Sequence, residues 1–551
     1  MEKIIITFEN GAKKEYQKGV KLSEIIEDIK KDYPHKIISA KFKNQMINYD
    51  DALMKSGDLV LYDMLSSQGN KIYERGLIFL FQVCAQKVLG KDTKIKIRHP
   101  IDKGIFCEID KKITSEDIEK ITKLMKEKVS QAIPFEQLET SRIEAIEYFK
   151  KLKRLDKVKT LSYTTSNFVK LYKFDGIYNY IIGDLPHDSS VLNLFKLTLL
   201  EGKGIVLRFP FNYDNGKIKE YIYHEKYVNS LEEYSKWGNL LNINNIGELN
   251  EAITKEGSGE IINLSETIQD FKLLSIAQEI AKHKNNIKMI LLSGPSSSGK
   301  TTTSKKLALY LKTMGLKPYP LSMDDYFLER DETPLDEDGK PDYEGIRAID
   351  TKLFNRQLKK LLEGNEVITP TFNFITGKKE FNRPIKLEKN GLLIIEGLHA
   401  LNEKISTDIP KENKYKIYIS PLIFLNIDND NRISLTDIRL LRRMVRDYRT
   451  RGKSPSHTLS TWYDVRIGEE QYVFPYQDEA DVIFNSFLAY ELGVLKTYVE
   501  PLLYSVPPED PEYHTAMRLL KILRLVIPIP STDVPPLSIL REFIGESYFE
   551  K

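Results

Sequence analysis

The sequence predicts an α/β C-terminal half, with a parallel sheet and helices on both faces, preceded by a β-grasp domain and an α+β unit. The apolar run 287–293 has strand length and stops at a Gly-rich turn, after which an amphipathic helix opens at 303–312. Near the N-terminus, Asn10-Gly11 separates two strand-like runs and predicts a hairpin. Between these regions, Thr114 with acids in the next turn predicts a helix start in a mixed unit.

Length and composition fit an ordinary globular protein of about three or four domains. The 551 residues hold 82 Lys+Arg and 79 Asp+Glu, a net charge of +3, so the whole-chain charge does not argue for nucleic acid, although local patches remain open. Two cysteines, Cys84 and Cys107, exclude a disulfide framework and a thiolate metal cluster. There is no apolar run of about 18 residues and no signal-peptide layout. We therefore expect a cytoplasmic protein without a membrane span.

Composition and turn signals predict four units along the chain, at residues 1–65, 66–255, 265–500 and 501–551. The Gly- and Ser-containing stretch 254–259 predicts a linker ahead of the third unit. A helix at about 265–284 follows it, and Phe271 is among the residues expected on its packing face. The last unit reads as a helix and a Pro-rich extension that pack against the body.

The turn at 294–301 has the pattern of a phosphate-binding loop, G-x-x-x-x-G-K-T between a strand and a helix. Its glycines permit a tight turn whose N–H groups, with the positive end of the new helix, attract an anion. Lys300 is expected to reach the β- and γ-phosphates, and the Thr301 hydroxyl to ligate Mg²⁺. An ordinary strand–turn–helix corner is the alternative. The predicted nucleotide-binding residues are Gly294, Ser296, Ser297, Ser298, Gly299, Lys300, Thr301 and Thr302.

Two further strands end in acids. The strand 316–322 runs into Asp324 and Asp325, and the strand 392–396 ends at Glu396. Ligands of open α/β sheets collect at the carboxyl ends of strands, where a carboxylate can take a proton from an attacking hydroxyl. Asp324 is the candidate base, with Asp325 as the fallback, and Glu396 is a candidate for organising Mg²⁺. Structural capping and hydrogen bonding are the alternatives for these acids.

A basic helix is predicted within the segment 437–452. Four arginines repeat there at i, i+3, i+4 and i+7: Arg439, Arg442, Arg443 and Arg446. This spacing places them on one face, where guanidinium groups are suited to clamp transferring phosphate. We favour a lid, although charge runs are more often solvated surface.

Over about residues 285–500 the chain resembles the uridine kinase/phosphoribulokinase family of P-loop kinases. The motifs that carry the resemblance are 294–302, Ser322-Met-Asp324, 370–376, Ile395-Glu396-Gly397 and 437–447. The resemblance implies ATP- and Mg²⁺-dependent phosphorylation of a hydroxyl, often a nucleoside 5′-OH. It implies catalytic roles for Lys300, for Asp324 as base, and for Arg442 and Arg446 as lid arginines.

The same resemblance indicates where the acceptor would bind. Glu344, within Asp342-Tyr-Glu344, falls near an acid that the family places on the ribose hydroxyls. Phe372 and Gly377 stand where uridine kinases carry a Tyr and a His that read the base. Because a site that loses polar readers loses discrimination, the identity of the acceptor stays open.

The front of the chain resembles two modules of threonyl-tRNA synthetases. Residues 1–65 are similar to the TGS domain, and 66–250 are similar to the domain that edits mischarged tRNA. Arg75 and Phe79 occupy the places of the family's first His pair, and no Cys follows Cys107, so zinc-dependent editing is not expected. This resemblance implies RNA or tRNA contact through residues 1–250. Hence the alternative to a small-molecule kinase, most naturally of a nucleoside, is an RNA-, tRNA- or ribosome-associated regulator that uses the nucleotide site as a switch.

Overall fold

A computed structural model describes residues 2–33, 35–212, 214–335, 339, 341–407 and 409–550. The strands are β1 Lys3–Phe8, β2 Lys13–Gln17, β3 Val20–Lys21, β4 Ser39–Phe42, β5 Gln45–Ile47, β6 Ala52–Leu53, β7 Gly57–Tyr62, β8 Ile95–Ile101, β9 Gly104–Ile109, β10 Glu136–Ser141, β11 Phe168–Phe174, β12 Ile177–Asn179, β13 Lys196–Leu200, β14 Gly204–Arg208, β15 Met289–Ser293, β16 Lys317–Ser322, β17 Val367–Asn373, β18 Lys378–Ile385, β19 Gly391–Glu396, β20 Lys414–Ser420 and β21 Val482–Asn485. The helices are α1 Leu22–Ile29, α2 Ser67–Leu89, α3 Ser115–Ser130, α4 Arg142–Lys151, α5 Leu155–Ser162, α6 Glu225–Leu240, α7 Ile246–Glu256, α8 Ser258–Lys282, α9 Lys300–Thr313, α10 Thr351–Leu362, α11 Leu435–Arg451, α12 Pro455–Ser460, α13 Trp462–Tyr472, α14 Glu491–Tyr504, α15 Tyr513–Leu523 and α16 Arg541–Ile544.

The first unit is a five-stranded sheet in the order β2-β1-β7-β4-β5. Ile4, Ile6 and Phe8 of β1 are buried while their neighbours are more exposed, which is the alternation of a sheet with one covered face. Helix α1 buries four apolar residues on one side and joins the same core. The β-strands and the helix fall where the sequence predicts them, and the TGS-like identity of the unit stays a prediction.

The second unit contains a four-stranded sheet, β13-β14-β9-β8, and a three-stranded sheet, β10-β11-β12. Helices α2 and α3 pack in the same core as the larger sheet. The predicted helix start at Thr114 is present as a reciprocal cap with Asp117. Phe79 is buried in this core, and Arg75 Nε donates to the Asp184 carbonyl over 2.9 Å. The editing-domain likeness of this unit stays a prediction.

The third sheet is parallel throughout, in the order β16-β19-β15-β20-β21. All five residues of β15 are buried. Ile290 and Leu292 pack in one core with α8, α9, α11 and α14, whereas Met289 and Leu291 pack in another with α6 and α10. Helices therefore cover both faces, as expected for a parallel sheet.

The stretch 254–259, predicted as a linker, is a tight junction between two helices. Helix α7 ends at Glu256 and α8 begins at Ser258, with Gly257 at φ +84° between them. Core contacts also cross the predicted boundary at 255, since Ile246 and Leu249 of α7 pack in the core of the parallel sheet. Phe271, expected on the packing face of α8, is 75% exposed; the helix instead buries Leu273 and Ile276.

The C-terminal extension packs against the third unit, as predicted. Leu519, Leu520 and Leu523 of α15 join the core of the parallel sheet. Ile539 and Phe543 are fully buried in that core, which brings the segment 531–550 to the start of α9. Of the helices in the described ranges, none has the length and apolar character needed to cross a membrane.

Candidate active site

The turn between β15 and α9 needs glycine at both ends. A Cβ on Gly294 would lie 2.0 Å from the Ile419 carbonyl oxygen of the neighbouring strand β20. Gly299 has φ +87°, and a Cβ there would lie 2.4 Å from Ile539 Cγ2. The turn therefore brings its backbone close to the sheet and to the C-terminal extension, which a side chain at either position would prevent.

The polar groups of this turn fit a triphosphate. Within the described residues, the hydroxyls of Ser297 and Ser298 are buried without a hydrogen-bond partner. Lys300 Nζ donates to the carbonyls of Gly294 at 2.9 Å and Pro295 at 3.1 Å, so its charge lies beside the turn. The first N–H groups of α9 have no carbonyl of their own helix to bind. Together these donors form an anion cradle of the kind the sequence predicts.

The strand-end acid Glu396 lies next to this cradle. Its Oε1 accepts from Thr301 Oγ1 at 3.2 Å and from Ser322 Oγ at 2.7 Å. Burial, with the nearby charge of Asp324, raises the pKa of Glu396 to about 7. Thr301 and Glu396 could hold Mg²⁺; because the described residues offer no group of three or more His, Cys, Asp or Glu ligands, phosphate oxygens and water would have to complete the shell.

The two acids after β16 lie in different surroundings. Asp325 Oδ1 accepts the Phe372 N–H at 3.2 Å, and burial raises the pKa of Asp325. The Asp324 carboxylate has no such bond within the described residues, and its charge acts on both Glu396 and Glu344. Since β16, β19 and β15 are adjacent in the sheet, Asp324 follows a strand about 10 Å from β15 at the same sheet edge.

Glu344 shares this environment. It is half-buried, and desolvation raises the pKa of its carboxyl to about 7, while Arg443 and Lys300 act in the opposite direction. Asp342 Oδ1 accepts the Gly345 N–H at 2.8 Å. This oxygen of Asp342 therefore holds the turn that carries Glu344 and is not directed to the cradle. The structure thus brings Glu344 to the group of charges around Asp324.

Phe372, the third predicted substrate contact, belongs to an aromatic cluster. Its ring lies 5.2 Å from that of Phe374 and 5.8 Å from that of Phe327, both edge-on. The backbone N–H of Phe372 is fixed by Asp325. An apolar wall of rings therefore stands close to the acids of the site.

Arg439 and Arg442 lie inside the protein, which differs from the lid the sequence predicts. Arg442 is fully buried and donates to both carboxylate oxygens of Glu491, at 3.1 and 2.5 Å, and to the Ser486 carbonyl at 2.8 Å. Its remaining nitrogen lies 3.4 Å from the Ser297 carbonyl. A buried guanidinium with a buried carboxylate is stable only when paired in this way, so Arg442 supports the phosphate loop from behind.

The other arginines of α11 are only partly buried. Arg443 donates to Ser296 Oγ at 2.8 Å. Arg446 donates to Asp447 Oδ1 at 2.9 and 3.1 Å, and Arg451 stacks on the Phe374 ring at 4.7 Å. The arginines of α11 therefore form two groups. Arg439 and Arg442, the inner pair, are held in buried ion pairs. The outer arginines, Arg443, Arg446 and Arg451, surround Asp447 near the aromatic wall.

Two acids of the site are not foreseen from the sequence. Buried Glu469 accepts the Ser296 N–H at 2.8 Å and an Arg466 nitrogen at 2.6 Å, and pairs with Arg439. The i,i+3 spacing of Arg466 and Glu469 is a signal that could have indicated an ion pair, but nothing local indicates contact with the loop.

Glu542 of α16 is the second such acid. Its Oε2 accepts the Thr302 N–H at 3.1 Å, in the first turn of α9. A carboxylate there is stabilised by the helix N-terminus in the same way as a phosphate. Arg449 fixes the segment by donating to the Phe543 carbonyl at 3.1 Å and to Glu550 at 2.6 Å. The C-terminal extension thus contributes a negative charge to the predicted nucleotide site.

A glycine-framed anion cradle at the edge of a five-stranded parallel sheet, with acids on the next strand ends, defines a P-loop kinase domain. A model of the Phosphoribulokinase / Uridine kinase family matches residues 289–491. Uridine kinase of Staphylococcus haemolyticus is 30% identical over 199 residues, which is 36% of this chain and 87% of that protein. The chain belongs to the phosphoribulokinase/uridine kinase family through this domain.

Further similarities cover a comparable share of the chain. Uridine kinase of Ligilactobacillus salivarius is 28% identical over 205 residues, or 37% of this chain and 87% of that protein. A solved structure described as a possible uridine kinase from Bacillus stearothermophilus is 18% identical, covers 39% of this chain and 100% of that chain, and has a TM-score of 0.25.

Proposed function

We propose that the protein is a Mg²⁺- and ATP-dependent kinase that phosphorylates a hydroxyl of a small molecule, with a nucleoside as the favoured acceptor. The observation that carries the proposal is the Asp324 carboxylate, which has no partner within the described residues and stands in the charge group of Glu396, Glu344 and Lys300. Membership of the kinase family supports the reaction class.

In the proposed reaction Asp324 takes the proton of the acceptor hydroxyl as its oxygen bonds to the γ-phosphorus. The bond from the γ-phosphorus to the β,γ-bridging oxygen breaks, and ADP leaves. Amides of the turn and Lys300 hold the phosphate charge, and Arg446 stabilises the transferred group. Thr301 and Glu396 would hold Mg²⁺, which would supply positive charge to neutralise the phosphates. Arg442 acts as a positioning residue behind the loop.

A nucleoside suits the acceptor side because the charge of Asp324 acts on Glu344 and the aromatic wall is joined to the next residue, Asp325. Glu344 would accept hydrogen bonds from sugar hydroxyls, and Phe372 would contact a planar base. The relatives named above are uridine kinases, but Phe372 cannot donate or accept a hydrogen bond to a base. We therefore expect weak discrimination among bases.

The test is transfer from labelled ATP to a panel of nucleosides and sugars, with Mg²⁺, by wild-type protein and by Asp324→Asn. We expect at least one nucleoside to acquire phosphate and the variant to bind ATP without transferring it. Label on sugars alone would reject the nucleoside; transfer by Asp324→Asn at the wild-type rate would reject the assigned base. The predicted contact of residues 1–250 with RNA stays a prediction.

A further inference from the structure

A cavity of about 1190 Å³ lies between the second unit and the kinase domain. Its wall is formed by α2 on one side, by α11 and α13 of the kinase domain on another, and by α15 of the C-terminal extension. Lys300, Asp324 and Glu396 are not part of the wall. The cavity therefore lies apart from these three residues, although it touches the loop at Pro295, and it is large enough for a ligand of nucleotide size.

Two cations on α2, Lys71 and Arg75, line this cavity one helical turn apart. Within the part of the chain that the structure describes, neither side chain forms an ion pair. Arg75 has a single hydrogen bond, to the Asp184 carbonyl. Burial, reinforced by the charge of Arg518, lowers the pKa of Lys71 to about 8.

The charge of Asp184 acts on Arg75, whereas the two carboxylates that act on Lys71 accept hydrogen bonds from other partners. Glu74 accepts two hydrogen bonds from Arg432, at 3.0 and 2.8 Å. Asp437 accepts two from Arg518, at 2.6 and 2.8 Å. The Asp437–Arg518 pair is bidentate and satisfies both partners, and within the described residues Lys71 forms no ion pair of its own.

A cation such as Lys71, without an ion pair in a partly desolvated cavity, is costly unless a ligand supplies the opposite charge. We propose that this interdomain cavity binds a phosphate-bearing ligand of about nucleotide size, with the phosphate held by Lys71 and Arg75. The wall also offers aromatic rings for the rest of such a ligand, namely Tyr227, Trp462 and Tyr463.

The cavity wall also reaches the phosphate loop. Arg439 lines the cavity, and its Nε donates to the Ser296 carbonyl at 2.9 Å. Asp437, two residues earlier on α11, is held by Arg518 of α15. A ligand that draws on Arg518 or Arg439 would therefore act on the backbone of the loop, which places the cavity where a bound phosphate compound can influence the kinase site.

The test uses full-length protein with Lys300→Ala, which removes the phosphate-loop cation, and measures calorimetric binding of inorganic phosphate and of adenosine monophosphate. We expect adenosine monophosphate to bind, and the added pair Lys71→Met and Arg75→Met to weaken binding at least about tenfold, the loss of roughly one charge-assisted bond. Lys87→Met is the matched control, because Lys87 lies on the same helix, pairs with Asp175 and does not line the cavity.

The proposal would be overturned if adenosine monophosphate bound equally well with and without the Lys71→Met and Arg75→Met substitutions. It would also be overturned if neither probe bound to the Lys300→Ala protein. Lys71→Met alone and Lys71→Arg guard against misfolding: the first should weaken binding and the second should restore it. Since no activity is measured, the result is independent of the proposed kinase reaction.

Discussion

The kinase domain and the front of the chain differ in whether their polar side chains find hydrogen-bond partners within the protein. In the front, acids at helix starts are satisfied locally: Asp117 caps with Thr114, and Glu144 caps with Ser141. In the kinase domain, Ser297, Ser298 and Asp324 lack protein partners among the described residues and converge at one edge of the parallel sheet. The proposed reaction therefore draws on polar groups of the kinase domain.

The largest expected effect is the loss of transfer in Asp324→Asn. An amide cannot accept the proton of the acceptor, so we expect a rate about 10²- to 10⁴-fold lower, with ATP affinity unchanged. Steady-state rates and calorimetric ATP titration measure the two quantities. Asp325→Asn is the matched control and should retain most of the transfer rate, because Asp325 holds a backbone N–H. ATP affinity lost together with the rate would contradict the role of Asp324.

Arg442→Ala should lower the free energy of unfolding by about 3–5 kcal/mol, because it leaves the carboxylate of Glu491 buried without its partner. Arg446→Ala should lower it less, because Asp447 keeps its ion pairs with Arg443 and Arg451, and should act on the transfer rate instead. Urea unfolding of both variants makes the comparison. Equal free energies of unfolding in the two variants would contradict the distinction between inner and outer arginines.

Glu542→Gln should strengthen ATP binding by about two- to tenfold, the size of a charge effect at a helix N-terminus. The substitution removes a negative charge from the Thr302 N–H and keeps the size of the side chain. Glu546→Gln is the control, since Glu546 is on the same segment and pairs with Arg541. Weaker ATP binding in Glu542→Gln would show instead that the carboxylate helps to build the nucleotide site.

The smallest effect concerns the contact between the two regions at His224. Asp102 of the front and Asp478 of the kinase domain raise the pKa of His224 to about 9. Because the protonated ring favours the folded state, its contribution is complete below about pH 6.5 and is lost as the pH rises through about 9. Solvent screening limits it to less than about 1 kcal/mol. Unfolding midpoints from pH 6 to 9 should fall in wild-type protein and fall less in His224→Gln.

Features that depend on a short contiguous stretch could be predicted from the sequence. The phosphate loop, the capped helix at Thr114 and the acid at Asp324 all lie where local spacing and turn chemistry indicate. Glu469 and Glu542 could not be found this way, because they reach the loop from 173 and 240 residues away in the sequence. Likewise, periodicity places Arg442 and Arg446 on one face but does not reveal that Arg442 forms a buried ion pair with Glu491.

The position of the C-terminal extension has a practical consequence. Phe543 lies against the Arg442 guanidinium at 5.1 Å, and Ile539 lies against Gly299. A shortened protein ending near residue 500 would uncover these apolar surfaces and admit water behind the loop. Expression of residues 289–491 alone, the stretch that the family model matches, would then yield an aggregation-prone fragment.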